Sequence, residues 1–244
     1  MSAPLFLVRA LPAGTVFTLG GPEGHHAATV QRVKVGERLV LADGRGGTAT
    51  AEVTGVGRGS VDVTIRDRSF TAPADPRLTV VQGIAKGDRG ELAVQAMTEA
   101  GVDEIVPWAA ARSIAQWRGD RGHKARDRWA ATAREAAKQA RRPWLPQLSG
   151  DPDCSTKQVA ARLSAASAAF VLHEAATERL TRAPMPEAGE IILVVGPEGG
   201  ISDAEVDTFT AAGAVPVRLG DAVLRTSTAG VAGLAVLSAR LGRW

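Results

Sequence analysis

The sequence predicts an α/β protein preceded by a small β-barrel, and three observations carry that prediction. Residues 5–70 fall into short alternating segments divided by glycine-rich turns. Residues 71–76 hold two prolines and little apolar content. Beyond them, short apolar strands alternate with stretches of helical periodicity. With 244 residues, 45% hydrophobic and 23% charged, the chain can fill at least one core, as one large domain or two smaller ones.

In the first part, strands are expected at residues 5–8, 16–19, 38–42, 48–56 and 60–66, with turns at Ala42-Asp43-Gly44 and residues 55–59. A helical stretch near 24–33 fits between the second and third strands. The segment Thr71-Ala72-Pro73-Ala74-Asp75-Pro76 reads as a linker, which divides the chain into a barrel at 1–72 and an α/β domain at 73–244. In the second part, 78–84 is a continuous apolar strand and 88–100 a helix that Gly101 stops. A strand at 105–108 precedes a long helix at about 122–140, ended by Pro143. Strands at 168–173, 191–195 and 215–219 alternate with helices near 156–164, 203–212 and 227–241. Strands this apolar belong to a mainly parallel sheet covered on both faces.

Composition excludes several classes. The lone Cys154 cannot form an internal disulfide, and no CxxC pair or zinc-spaced His/Cys cluster occurs, so no metal site is expected. The N-terminus lacks the layout of a secretory signal and no stretch reaches the twenty or so apolar residues that span a bilayer, so a cytoplasmic protein free of the membrane is expected. The formal net charge is only +3, but residues 112–142 carry ten Lys or Arg against three acids. Trp117, Trp129 and Trp144 lie in or beside that stretch, so bases could stack where phosphates are held. The other reading is a solvated helix face with core tryptophans. Arg112, Arg121, Lys124, Arg128 and Arg142 are the candidate nucleic-acid contacts.

Two loops could carry chemistry. The strand at 191–195 runs into Gly196-Pro197-Glu198-Gly199-Gly200, and Ser202-Asp203 then opens a helix. Glycines at the carboxyl end of a parallel strand let a ligand approach the backbone; the same sequence also fits a tight turn with Ser202 as N-cap. The second loop runs from Leu219-Gly220 through Leu224-Arg225 to Thr226-Ser227-Thr228-Ala229-Gly230, where Thr226 or Ser227 could cap a helix whose first turn is small-residued. His173 ends a strand where a ligand edge could sit. Neither a dinucleotide fingerprint, a P-loop nor a Ser-His-Asp arrangement is present.

These residues resemble the RsmE-type 16S ribosomal RNA (uracil-N3)-methyltransferases of the SPOUT superfamily. The matching segments are Lys86-Gly87-Asp88, residues 98–105, Arg128-Trp129, and Glu135-Ala136-Ala137-Lys138-Gln139 leading to Arg142 and Pro146. They continue through residues 193–200 and Leu219-Gly220 to Leu224-Arg225-Thr226 and Thr228-Ala229, in an order that covers nearly the whole chain. The resemblance implies an N-terminal PUA-like RNA-binding barrel and a C-terminal SPOUT domain threaded into a trefoil knot. It also implies a homodimer with the cofactor site close to the subunit interface, acting on small-subunit ribosomal RNA or the assembled 30S subunit. The cofactor is S-adenosylmethionine, and its pocket carries over to Leu172, Gly196, Gly200, Leu219, Leu224, Thr226 and Ala229, with His173 and Gly220 beside them.

Two departures are visible: Ser227 stands where the family usually has an acid, and Leu5-Phe6-Leu7 replaces an early Arg-Phe-Phe. The first argues against a carboxylate base at 227; the second puts one RNA contact in doubt. Arg225 is the cation best placed by sequence to stabilise a developing uracil anion. The proton acceptor is left open among Glu198, a water and solvent. Two further readings are an RNA-binding assembly factor with a vestigial pocket and a related knotted enzyme acting on another RNA.

Overall fold

A computed structural model of the chain describes residues 3–244; the first two residues of the expected barrel domain lie outside the described residues. The fold separates into two units. One runs up to Pro73 and takes in Ala137–Leu145; the other comprises Ala74–Ala136 and Pro146–Trp244.

The strands of the first unit are β1 (Leu5–Leu7), β2 (Val16–Leu19), β3 (Arg38–Ala42), β4 (Gly47–Val56) and β5 (Val61–Phe70), which form a five-stranded sheet in the order β1-β3-β4-β5-β2. β1 joins β3 in parallel and every other pair is antiparallel. Strict alternation sends Leu39, Leu41, Ala51, Val53, Val61 and Val63 inward, where they pack with Phe6 and Ala27. The helical stretch between β2 and β3 starts about three residues earlier than expected: α1 (Gly21–His25) passes directly into a π-turn over His26–Val30.

The return of residues 137–145 to this unit is absent from the linear reading, which gives them to the second domain. The Trp144 indole N–H donates to the Thr71 carbonyl at 2.8 Å, and its ring meets Phe70 edge-on at 6.3 Å. Leu145 covers Gly44, a turn residue at φ +71° where a side chain would collide with it. Lys138 and Glu23 form a partly buried ion pair at 3.0 Å.

The strands of the second unit are β6 (Arg77–Gly83), β7 (Glu104–Trp108), β8 (Gln147–Leu148), β9 (Ala168–Leu172), β10 (Glu190–Val195) and β11 (Val215–Val217). They form a six-stranded, wholly parallel sheet in the order β11-β9-β10-β6-β7-β8. Two-residue β8 is too short to leave a pattern in the sequence. Along β10, Ile191, Leu193 and Val195 face one core while Ile192 and Val194 face another, because successive side chains point to opposite faces.

The first core is roofed by α2 (Arg89–Glu99), the middle of α3 (Gly119–Gln139), and α6 (Thr226–Arg240); the second by α4 (Thr156–Ala165) and α5 (Asp203–Ala211). Gly101 ends α2 at φ +94°, a conformation in which only glycine is unstrained. The α/β class with a barrel in front is therefore the fold observed. No helix among the described residues is long and apolar enough to cross a membrane.

Candidate active site

Parallel strands leave their carboxyl ends on one edge of the sheet, and there the loops after β9, β10 and β11 open to form a cleft of about 650 Å³. The end of β9 contributes Leu172 and His173, and the glycine-rich loop after β10 contributes Gly196 and Gly200. The loop after β11 adds Leu219, Gly220 and Leu224, while the first turn of α6 supplies Thr226 and Ala229. All nine cofactor residues expected from sequence thus lie on one wall system, as do Glu198 and Arg225.

The glycines are required by packing at 196 and 199 and by backbone conformation at 200. At Gly196 a Cβ would stand 2.7 Å from Ile201 Cγ1, and Gly200 has φ +72°. At Gly199 it would meet the Arg112 carbonyl at 2.8 Å, so that loop lies flat against the segment after β7. The α5 start is also the N-cap that the sequence allowed. The Ser202 N–H and hydroxyl both donate to Glu205 Oε2, at 3.0 and 2.7 Å. Buried Glu205 uses its other oxygen to accept the Ala111 N–H at 2.7 Å, which ties this helix to the loop after β7. The turn and cleft readings of 196–203 hold together.

At α6 the expectation needs correcting. Neither Thr226 nor Ser227 caps the helix; Arg225, in extended backbone, is the N-cap residue, and both hydroxyl residues are buried in the first turn. The Thr226 hydroxyl instead donates to the Gly196 carbonyl at 2.7 Å and so joins two cleft walls.

The charged groups of the cleft fall into distinct roles. Glu198 Oε1 accepts the Lys86 N–H at 3.0 Å and faces Arg89 at 3.5 Å, while its Oε2 is buried with no partner. Asp221 pairs with Arg218 at 3.2 Å and Arg179 at 3.6 Å. Both acids that could have held Arg225 are thereby engaged elsewhere. Arg225 is exposed and makes no side-chain hydrogen bond or ion pair among the described residues. Sequence reasoning missed Arg89 and Arg218 as cleft residues; Arg89 directly follows the Lys86-Gly87-Asp88 segment that the resemblance singled out. Cys154 lies outside the cleft, and burial pushes its thiol above the usual range, which keeps it protonated and unreactive.

The candidate nucleic-acid contacts separate in the same way. Arg121 and Lys124 are exposed on α3 and carry no partner among the described residues; Arg128 is exposed and faces Glu91 at 3.4 Å. Arg112 lies instead on the cleft wall, its guanidinium reaching the Ile201 carbonyl at 3.4 Å. Arg142 belongs to the segment packed with the first unit. The tryptophans are not free for bases: Trp129 is a core residue at 3% exposure, Trp117 packs edge-on against it at 4.8 Å, and Trp144 is engaged with Thr71 and Phe70. Within the first unit, a second concavity of about 1050 Å³ is lined by Arg32, Arg38, Arg66 and Arg141. Arg32 and Arg141 both have φ +53°, the only non-glycine residues at positive φ among those described. Arginine there is strained, and such strain accumulates at functional positions.

Residues 73–238 match the RNA methyltransferase domain family and residues 19–66 the RNA methyltransferase PUA domain family. The ribosomal RNA small subunit methyltransferase E of Mycobacterium tuberculosis is 44% identical, over 100% of this chain and 94% of its own length. Among solved structures, the Neisseria gonorrhoeae ribosomal RNA small subunit methyltransferase E bound to S-adenosyl methionine superposes with TM-score 0.86 at 27% identity, covering 98% of each chain. A Legionella pneumophila methyltransferase in complex with the same cofactor gives TM-score 0.86 at 28% identity, again over 98% of each chain. The chain is a member of the ribosomal RNA small subunit methyltransferase E family and an RNA methyltransferase.

Proposed function

We propose that the protein transfers a methyl group from S-adenosylmethionine to ring nitrogen N3 of one uridine in small-subunit ribosomal RNA, and that the cleft above β9, β10 and β11 holds the cofactor. The observation that carries this is the convergence of all the expected pocket residues, from three separate strand ends and one helix start, on a single concavity. The cleft fits the group. Its volume of about 650 Å³ suits a nucleoside-sized ligand. Leu172, Leu219, Leu224 and Ala229 offer an apolar surface to adenine, Gly220 leaves its stretch of wall clear of side chain, and Glu174 is an acid of the lining that could face positive charge. When bound, S-adenosylmethionine supplies an electrophilic methyl on a cationic sulfonium.

The protein's own residues must then present an unpaired uracil and handle its N3 proton. Arg225, exposed at the cleft rim and unpaired, is placed to stabilise charge developing on the uracil oxygens. Glu198, a cleft-lining carboxylate whose Oε1 is held by Lys86 and Arg89, is the proton acceptor we favour. Phosphates are taken up by Arg121, Lys124 and Arg128 on α3, by Arg112 and Arg142, and by the arginine-lined concavity of the first unit.

A homodimer and the trefoil knot belong to the same proposal. Val223 and Leu224, 74% and 40% exposed at the cleft rim, suit burial by a second copy. The Thr226 link to Gly196 and the pairing of Arg179 beside Arg218 bring the three cleft loops together, as a threaded chain would. A ribosomal substrate, as 30S subunit or free RNA, puts the enzyme in the cytoplasm. Mass spectrometry of ribosomal RNA from a strain lacking the gene tests the activity. Loss of one 3-methyluridine from the small subunit, restored by the gene, is the expected result; intact methylation would refute it.

A further inference from the structure

Gln82 is a glutamine at the end of β6, between residues that are otherwise apolar and buried, and it is itself 0% exposed. Its amide Nε2 donates to the Thr226 hydroxyl at 2.8 Å and to the Gly83 carbonyl at 3.1 Å. The Thr226 hydroxyl donates onward to the Gly196 carbonyl at 2.7 Å. The direction of this relay is forced. A carbonyl can only accept, so the single hydroxyl proton goes to Gly196, and the hydroxyl oxygen must accept from an N–H of Gln82. That fixes the amide with its oxygen turned away, and Gln82 Oε1 is indeed buried without a partner.

A half-satisfied buried amide costs stability, and an apolar residue here would avoid that cost. What the amide provides is a tie between the end of β6, the first turn of α6 and the first residue after β10. The last two are walls of the cleft, whereas Gln82 does not touch it. The neighbouring residues reinforce the tie: a Cβ on Gly83 would stand 2.6 Å from the Pro197 nitrogen, and the Lys86 N–H binds Glu198. We propose that Gln82 is a positioning residue that holds the Gly196 carbonyl and the start of α6 in their cofactor-binding arrangement, acting through the Thr226 hydroxyl. The proposal rests on the cofactor reading of the cleft.

Calorimetry with S-adenosylmethionine, alongside thermal unfolding of each variant, tests it. Gln82→Leu should unfold no earlier than wild type yet bind about tenfold more weakly, the weight of one buried hydrogen bond. Thr226→Val should also bind more weakly but unfold earlier, because it strands the Gln82 amide and the Gly196 carbonyl, and Thr226→Ser should restore both. The double variant Gln82→Leu/Thr226→Val should be no weaker than either single one, because the two side chains form one relay.

Gln82→Glu supplies a readout that a purely structural role would not move. A protonated acid can donate to Thr226, whereas a carboxylate would draw the hydroxyl proton away from Gly196. Burial raises such an acid's pKa, so relative to wild type the variant should bind well near about pH 5 and lose affinity toward about pH 8.5 while still folded. Wild-type affinity in Gln82→Leu, or a wild-type pH profile in folded Gln82→Glu, would overturn the positioning role and leave the cofactor reading standing. Failure of the wild-type protein to bind would overturn both.

Discussion

Arg225 and Gly196 represent two ways in which one residue can matter to the cleft. Arg225 is exposed at the rim and its neighbouring acids are committed to other cations, so the loop does not depend on it. Its guanidinium is available to a substrate whose negative charge grows only as the proton leaves. Arg225→Ala should therefore slow single-turnover methylation about 100-fold while changing cofactor affinity little. Equal losses in both quantities would mean that it holds the loop after all. Gly196 acts through absence of volume. Branched atoms at this position would press on Ile201, only 2.7 Å from the Cβ site, and displace the carbonyl that Thr226 grips. Gly196→Val should lower cofactor affinity more than about tenfold in calorimetry with an unchanged circular dichroism spectrum, since the strain falls on a loop that can yield.

Helix α3 divides its duties between its two sides. Trp129 and Ala133 face the core, and an added Cβ at Gly90 of α2 would strike the Trp129 ring at 2.7 Å. Arg121, Lys124 and Arg128 face solvent. Reversing those three charges to Glu should weaken RNA binding and flatten its salt dependence, by roughly 0.7 in slope for each phosphate left unneutralised on single-stranded RNA, with cofactor affinity unaltered. An unchanged slope would return the helix to a merely solvated face. The element also shows what a sequence reveals. Apolar runs made β6 and β10 legible, because a strand buried on both faces can hold little else. The charge excess made the outer side of α3 legible, but nothing in it says that Trp129 is core. Two-residue β8 lacked enough residues for a pattern. Around the cleft, glycines and small residues announced themselves, whereas Gln82 did not: its partner Thr226 lies far along the chain, and spacing reports only near neighbours.

On the scale of the whole molecule, the first unit is discontinuous in sequence. Residues 1–73 alone would lack the ring that covers Phe70, the side chain that fills the Gly44 turn, and Lys138, which pairs with Glu23. A fragment ending at Pro73 should therefore unfold at lower denaturant than this unit does in the intact chain. In the intact protein, Trp144→Ala should lower the unit's stability by about 2–3 kcal/mol, less than a wholly buried tryptophan would cost, because Trp144 is partly exposed. A fragment as stable as the unit in the whole chain would show that the returning segment is ornamental. The same discontinuity sets a clock on biosynthesis. A ribosome makes the chain from the amino end, so every strand of the barrel exists well before the segment that completes it, and the second unit's β6, α2 and β7 are made in between. The nascent barrel must wait, with the Gly44 turn uncovered, until Leu145 has emerged, and it is during that interval that it is most exposed to proteases and to chaperones.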